Sequence, residues 1–134
     1  MSFILAIDYD GTLFSGSWPE IGAPRKEVIK QVKAFRKSGA EIILWTCREG
    51  KSLQEALSRC TEQGLDFDAV NEGTHSEKAY QQEHLKSNGA VFGLRKVYAN
   101  LYVDDRSPGS IEYFLKLDAK KVSKEKHNEF KKST

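Results

Sequence analysis

Phe3-Ile4-Leu5-Ala6-Ile7-Asp8-Tyr9-Asp10-Gly11-Thr12-Leu13 is the stretch that decides the fold. Phe3 to Ile7 is an unbroken apolar run too short for a helix, and it reads as a strand buried on both faces. Such strands belong to parallel sheets, where helices cover each side. The run stops at two carboxylates with one residue between them. Ligands of open parallel sheets sit beyond the carboxyl ends of the strands, which is where Asp8 and Asp10 fall. Two anions this close ionise together cheaply only beside a cation or hydrogen-bond donors. Gly11 lets the chain turn sharply straight after them. The pattern suits a divalent metal and a carboxylate nucleophile.

Three further stretches extend the pattern. Glu41-Ile42-Ile43-Leu44-Trp45-Thr46 is a second apolar run, ending in a threonine. Asn100-Leu101-Tyr102-Val103-Asp104-Asp105 is another, ending in adjacent acids, and Arg95-Lys96 stands shortly before it. With Asp8-Tyr9-Asp10-Gly11-Thr12 they resemble, in order, the four motifs of the haloacid dehalogenase-like (HAD) phosphohydrolases, over residues 3–105. The resemblance implies an α/β fold: a three-layer Rossmann-like core with a mostly parallel sheet. It also implies Mg²⁺ as cofactor and hydrolysis of a phosphomonoester through an aspartyl-phosphate.

The resemblance assigns roles residue by residue. Asp8 is the nucleophile, since a carboxylate that attacks phosphorus splits one hard step into two easier ones. Asp10 is the general acid and base, and its main-chain carbonyl serves the metal. Asp8, Asp10, Asp104 and Asp105 form the metal set, with Asp104 the direct ligand and Asp105 bound directly or through water. Mg²⁺ keeps several waters, so one or two carboxylates suffice. Thr46 donates its hydroxyl to a phosphoryl oxygen, and Lys96 neutralises charge on the nucleophile and the phosphoryl group. Lys78 and Lys86 lie in the same interval. Lys96 is preferred because its short spacing to Asp104 fits a helix leading into the strand. Gly11, Thr12, Cys47 and Arg48 complete the substrate side. Thr46-Cys47-Arg48-Glu49 is similar to a stretch of HAD-type polynucleotide 3′-phosphatases and of small capless relatives; by that resemblance Arg48 grips a second phosphate bidentately, the alternative being a salt bridge with Glu49 or a neighbouring acid.

Competing patterns are weaker. Gly50-Lys51-Ser52 resembles the end of a Walker A loop, but Trp45 stands where that loop needs its first glycine. Leu53 stands where a Cys-x5-Arg phosphatase loop needs its arginine, so Cys47 is expected to pack as a small apolar residue. His75, His84 and His127 lack metal-ligand spacing. A receiver-like phosphoacceptor module uses the same residue types but carries its phosphoacceptor in mid-chain, and no acid ends the second run. A HAD-like protein that binds phosphate without turnover is the remaining alternative.

The chain has 134 residues, which fits one domain. With 39% apolar and 30% charged residues it matches an ordinary globular protein rather than a disordered one. A net charge of +2 gives no global case for a nucleic-acid or membrane partner. Residues 1–120 are expected to form the single domain and 121–134 a basic tail or helix. No apolar stretch approaches the ~20 residues of a membrane span. Two cysteines without a leader sequence point to a reducing, cytoplasmic setting. The expected partner is a phosphorylated small molecule or a nucleic-acid end, not a membrane, with oligomeric state open.

Between the motifs, residues 14–23 read as a loop or small flap. Pro24 opens a helix to Lys37 whose apolar face is Val28, Ile29, Val32 and Phe35. A second helix spans 52–63, a short strand 67–70, an irregular excursion with one helix at most 71–89, a helical turn part of 90–97, and the fourth strand 101–103. A final helix follows Pro108-Gly109. The interval before Pro24 is too short for an inserted cap domain, so little or no cap and an open site are expected.

Overall fold

The computed structural model describes residues 2–87 and 96–124. Arg95, His127, most of the stretch read as a helical turn, and the tail from residue 125 lie outside the described residues, as do the side chains of His84 and Lys86. Four strands, β1 (Ile4–Ile7), β2 (Glu41–Leu44), β3 (Ala69–Val70) and β4 (Leu101–Val103), form one sheet. All pairings are parallel, in the order β3-β2-β1-β4. Among the described residues four helices alternate with them: α1 (Lys26–Lys37), α2 (Gly50–Glu62), α3 (His75–Ser87) and α4 (Ser110–Lys116). A short helical stretch at residues 119–124 follows. This is an α/β protein of the Rossmann-like, three-layer kind.

The unbroken apolar character of β1 follows from its central place. Leu5 and Ile7 point into the larger core with Val28, Val32 and Phe35 of α1, Ala56 and Cys60 of α2, and Phe114 of α4. Ile4 and Ala6 point the other way, onto Ile43, Val97 and Ala99. Period-two alternation therefore buries both faces of the strand. Phe35 joins the layers, with ring centroids 5.5 Å from Phe3 and 5.3 Å from Phe114. Gln31 Nε2 donates to the carbonyls of Phe114 and Leu117 at 2.9 and 2.7 Å, giving α4 partners for its last orphan acceptors.

The chain steps from β1 outward to β2 and β3, then returns past β1 to β4 on the other side. This reversal is a topological switch, and it sets the carboxyl ends of β1 and β4 next to each other. The β1–β4 ladder continues into the site, since Asp8 N donates to Val103 O at 3.0 Å.

Several local expectations change. The excursion over 71–89 is mostly α3, a 13-residue helix. Its apolar period is weak because its inward side is polar. Thr74 and Glu77 are buried, and Ser76 Oγ donates to Glu41 Oε1 at 2.7 Å. Pro24 lies outside α1, paired with Phe14 in an isolated bridge, and Arg25 is the N-cap. α2 begins at Gly50, before the expected Ser52. The short helical stretch at residues 119–124 packs through Ala119 on the larger core.

Candidate functional site

The two outermost motifs meet at the switch. Asp8, Asp104 and Asp105 each present a carboxylate oxygen within 4.8 Å of the others. Asp8 and Asp104 are half-buried and Asp105 is exposed. β1 and β4 deliver these acids, and the turns after the strands fix them. Thr12, fully buried, donates its hydroxyl to Asp8 Oδ2 at 3.3 Å. Arg106 N donates to Asp104 Oδ1 at 2.7 Å. Ser110 Oγ accepts from Asp104 N at 3.2 Å, tying the start of α4 to the end of β4.

Gly11 is required by position. Its φ is +77°, a region that L side chains rarely adopt. A Cβ here would collide with Asp105 Oδ2 and lie 2.8 Å from its Cγ. The Gly11 carbonyl in turn accepts from Arg25 Nη1 at 3.0 Å.

The cluster is electrostatically stressed. Burial pushes the Asp8 carboxyl up to about 7, and the Asp104 charge adds to the rise. A hydrogen bond with Asp105 and that residue's charge push the same way, while the Tyr9 N–H pulls back. The strongest influences that raise Asp8 are thus its burial and two other acids. A cation would relieve all three carboxylates at once. An all-oxygen donor set of this size fits a hard divalent ion such as Mg²⁺.

The remaining site candidates fall in two groups. Thr46 lies at the carboxyl end of β2, half-buried. Its N–H donates to Asn71 Oδ1 at 2.8 Å, and its Oγ1 accepts from Arg48 N at 3.1 Å. Asp10, expected among the metal acids, is not part of the cluster of Asp8, Asp104 and Asp105. Arg48 Nε donates to Asp10 Oδ2 at 2.9 Å, and Arg48 Nη2 to Asp10 Oδ1 at 2.7 Å.

Three expectations are corrected here. Arg48 does not present a free fork to a second phosphate: its side chain is 0% exposed and committed to Asp10. Asp10's hydrogen bond and charge, working against the cost of burial, raise the guanidinium's pKa above its ordinary value. Cys47 is exposed rather than packed; Cys60 is the buried thiol, and burial pushes it up to about 12.

Lys96 is the third correction. It is exposed, with Nζ 5.1 Å from the Tyr102 ring centroid. Residues 97–100 approach β4 without helix, and Asn100 pairs with Ile4 at the amino end of the sheet. Lys96 therefore enters at the end of β4 opposite Asp104. Lys78 is paired with Glu72 at 2.9 Å. Among the described residues no lysine contact to the three acids is seen.

Arg25, Asn71 and Ser110 were missed in the sequence. Asn71 carries the only visible signal, a polar residue directly after an apolar strand. In the structure it adopts φ 56°, and its side chain braces Thr46.

No protein-family model matches the chain, and no curated protein matches it. A solved structure of a conserved protein from Bacteroides thetaiotaomicron is similar, with 29% identity and a TM-score of 0.65. The match covers 96% of this chain and 93% of that one, so the likeness holds for the whole frame rather than one motif. No helix among the described residues is long and apolar enough to cross a membrane.

Proposed function

We propose that the protein is a Mg²⁺-dependent phosphomonoester hydrolase of the HAD type, with little or no cap. The observation that carries this reading is the convergence of Asp8, Asp104 and Asp105 at the switch point, beside Gly11 and Thr12. Asp8, Asp104 and Asp105 would hold the ion, with the Asp10 main-chain carbonyl as a further oxygen by resemblance. The ion supplies neutralising charge for an anionic substrate beside an anionic nucleophile.

The chain's own residues divide the work. An Asp8 carboxylate oxygen attacks phosphorus, and the bond from phosphorus to the leaving oxygen breaks. Asp10 gives a proton to that oxygen, which departs as an alcohol. Asp10 then takes a proton from water as the water oxygen attacks the aspartyl-phosphate, and Asp8 is released with inorganic phosphate. Thr12 steadies Asp8 through its hydroxyl. Thr46, held by Asn71, offers its hydroxyl to a phosphoryl oxygen.

The receiver-like alternative lacks its phosphoacceptor. β2 ends in Leu44 and β3 in Val70, followed by Trp45 and Asn71 rather than an acid.

The substrate is a small phosphorylated molecule or a phosphorylated nucleic-acid end. The test is a phosphate-release screen with Mg²⁺ over nucleotides, sugar phosphates, phosphopeptides and 3′- and 5′-phosphorylated oligonucleotides. Release that requires Mg²⁺ and disappears in folded Asp8→Asn is the expected result. Undiminished release by that variant would remove Asp8 as nucleophile.

A further inference from the structure

We infer that Arg48 is a positioning residue that fixes the Asp10 carboxylate and latches the flap over residues 15–23 through one contact, so that the two move together. The role of Asp10 in proton transfer rests on the hydrolase reading above; the mechanical coupling does not.

The guanidinium is shared between two clients. Nε and Nη2 occupy both oxygens of Asp10. Nη2 also donates to the carbonyl of Glu20 at 3.0 Å and reaches that of Pro19 at 3.5 Å. Its carbon lies 5.3 Å from the centroid of the buried Tyr9 ring, which stacks on Phe14 at 4.8 Å. A buried guanidinium that loses its carboxylate becomes an uncompensated charge, so it cannot keep its flap contacts unchanged while Asp10 leaves.

The flap joins the rest of the chain through a narrow neck. Ser15 N donates to Ala23 O at 2.8 Å, and Ala23 N to Ser15 Oγ at 3.0 Å. Gly22 passes so close to Ser15 that a Cβ would strike the Ser15 carbonyl. Beyond this neck residues 15–20 are exposed, Trp18 at 64%, and only Ile21 packs on the core. The flap tip is therefore held chiefly by polar contacts, the Arg48 bonds to its carbonyls foremost.

Arg48 Nη2 thus joins Asp10 Oδ1 and the carbonyl of Glu20 through a single nitrogen, so the orientation of the Asp10 carboxylate and the position of the flap tip share one anchor.

The test is amide hydrogen exchange at Glu20 and Ala23 in the wild type, Arg48→Gln and Asp10→Asn, with Mg²⁺-dependent hydrolysis measured on the same preparations. Glu20 N bonds Ser17 O at 3.1 Å, so both amides report on the flap. Each variant is expected to speed exchange there by about tenfold, and the double variant no more than the faster single one. In hydrolysis Arg48→Gln lowers kcat with KM unchanged, and adds nothing to the loss from Asp10→Asn. A purely structural Arg48 would add its loss to that of Asp10. Flap exchange unchanged in folded variants, or additive losses, overturns the proposal. If Arg48→Gln does not fold, Asp10→Asn and Arg48→Lys carry the exchange measurement. Exchange is read without turnover. Coupled exchange in a protein that hydrolyses nothing keeps the latch and removes the hydrolase; hydrolysis with an uncoupled flap does the reverse.

Discussion

Asp8→Asn removes a charge and almost nothing else. The amide keeps the shape of the side chain and an oxygen for the Thr12 hydroxyl. The unfolded carboxyl loses its proton near 3.8 and the folded one near 7. Between these values the folded chain binds the proton that the unfolded chain has released. Stability from this group is therefore full below the lower value, declines as pH rises through the window, and is lost above the upper one. With no screening, a rise of this size corresponds to about 4 kcal/mol. Asp105 is exposed and water reaches the cluster, so about 1–2 kcal/mol survives. In chelator at about pH 8, Asp8→Asn should thus melt roughly 3–8 °C higher than the wild type. Near pH 5 the gap should narrow markedly, closing fully only below the lower value, and Mg²⁺ should raise the melting temperature of the wild type far more than that of the variant. Thermal melts at the two pH values, in chelator and in Mg²⁺, measure all of this. A variant less stable than the wild type in chelator at the higher pH, or one with the same pH slope, would refute the stressed cluster.

Gly11→Ala should cost about 1–2 kcal/mol through its positive φ alone, and should weaken Mg²⁺ binding by displacing Asp105. Combining it with Asp105→Ala should restore part of the stability but not the binding, which denaturant melts and calorimetry would show. Because Arg48 is enclosed, Arg48→Ala should reduce turnover of a small monoester and of a phosphorylated oligonucleotide by the same factor; a larger loss on the oligonucleotide would mean that Arg48 reaches a second phosphate. In the native protein Cys47 should react with a thiol reagent at neutral pH while Cys60 stays protected until unfolding, readable by mass spectrometry with and without denaturant.

β1 and β2 were legible because burial on both faces leaves an unbroken apolar run. β4 was placed to the residue, and Asp8, Asp104 and Asp105 stood at strand ends where the fold brings them together. α3 was obscured by its polar inward side, in which Glu77 takes a place that an apolar residue usually fills. Arg48 misled for a different reason. Arginine is seldom fully buried, and only the fold reveals that Asp10 and the flap carbonyls occupy its Nε and Nη2. Lys96 shows a limit of spacing arguments: eight residues along the chain do not say at which end of a strand the approach enters.

The order of the strands also bears on how the protein comes into being. Of the described strands β1 leaves the ribosome first and β4 last, yet they are neighbours, paired from Leu5 with Leu101 to Ile7 with Val103. Contacts this distant in sequence close late, because the intervening chain must first be ordered. Until then one flank of β1 is an unpaired, wholly apolar edge, the kind of surface that recruits other chains. Asp8 likewise waits for Asp104 and Asp105. A nascent or truncated chain without β4 would therefore have no assembled acid cluster, and metal binding would report completion of the sheet.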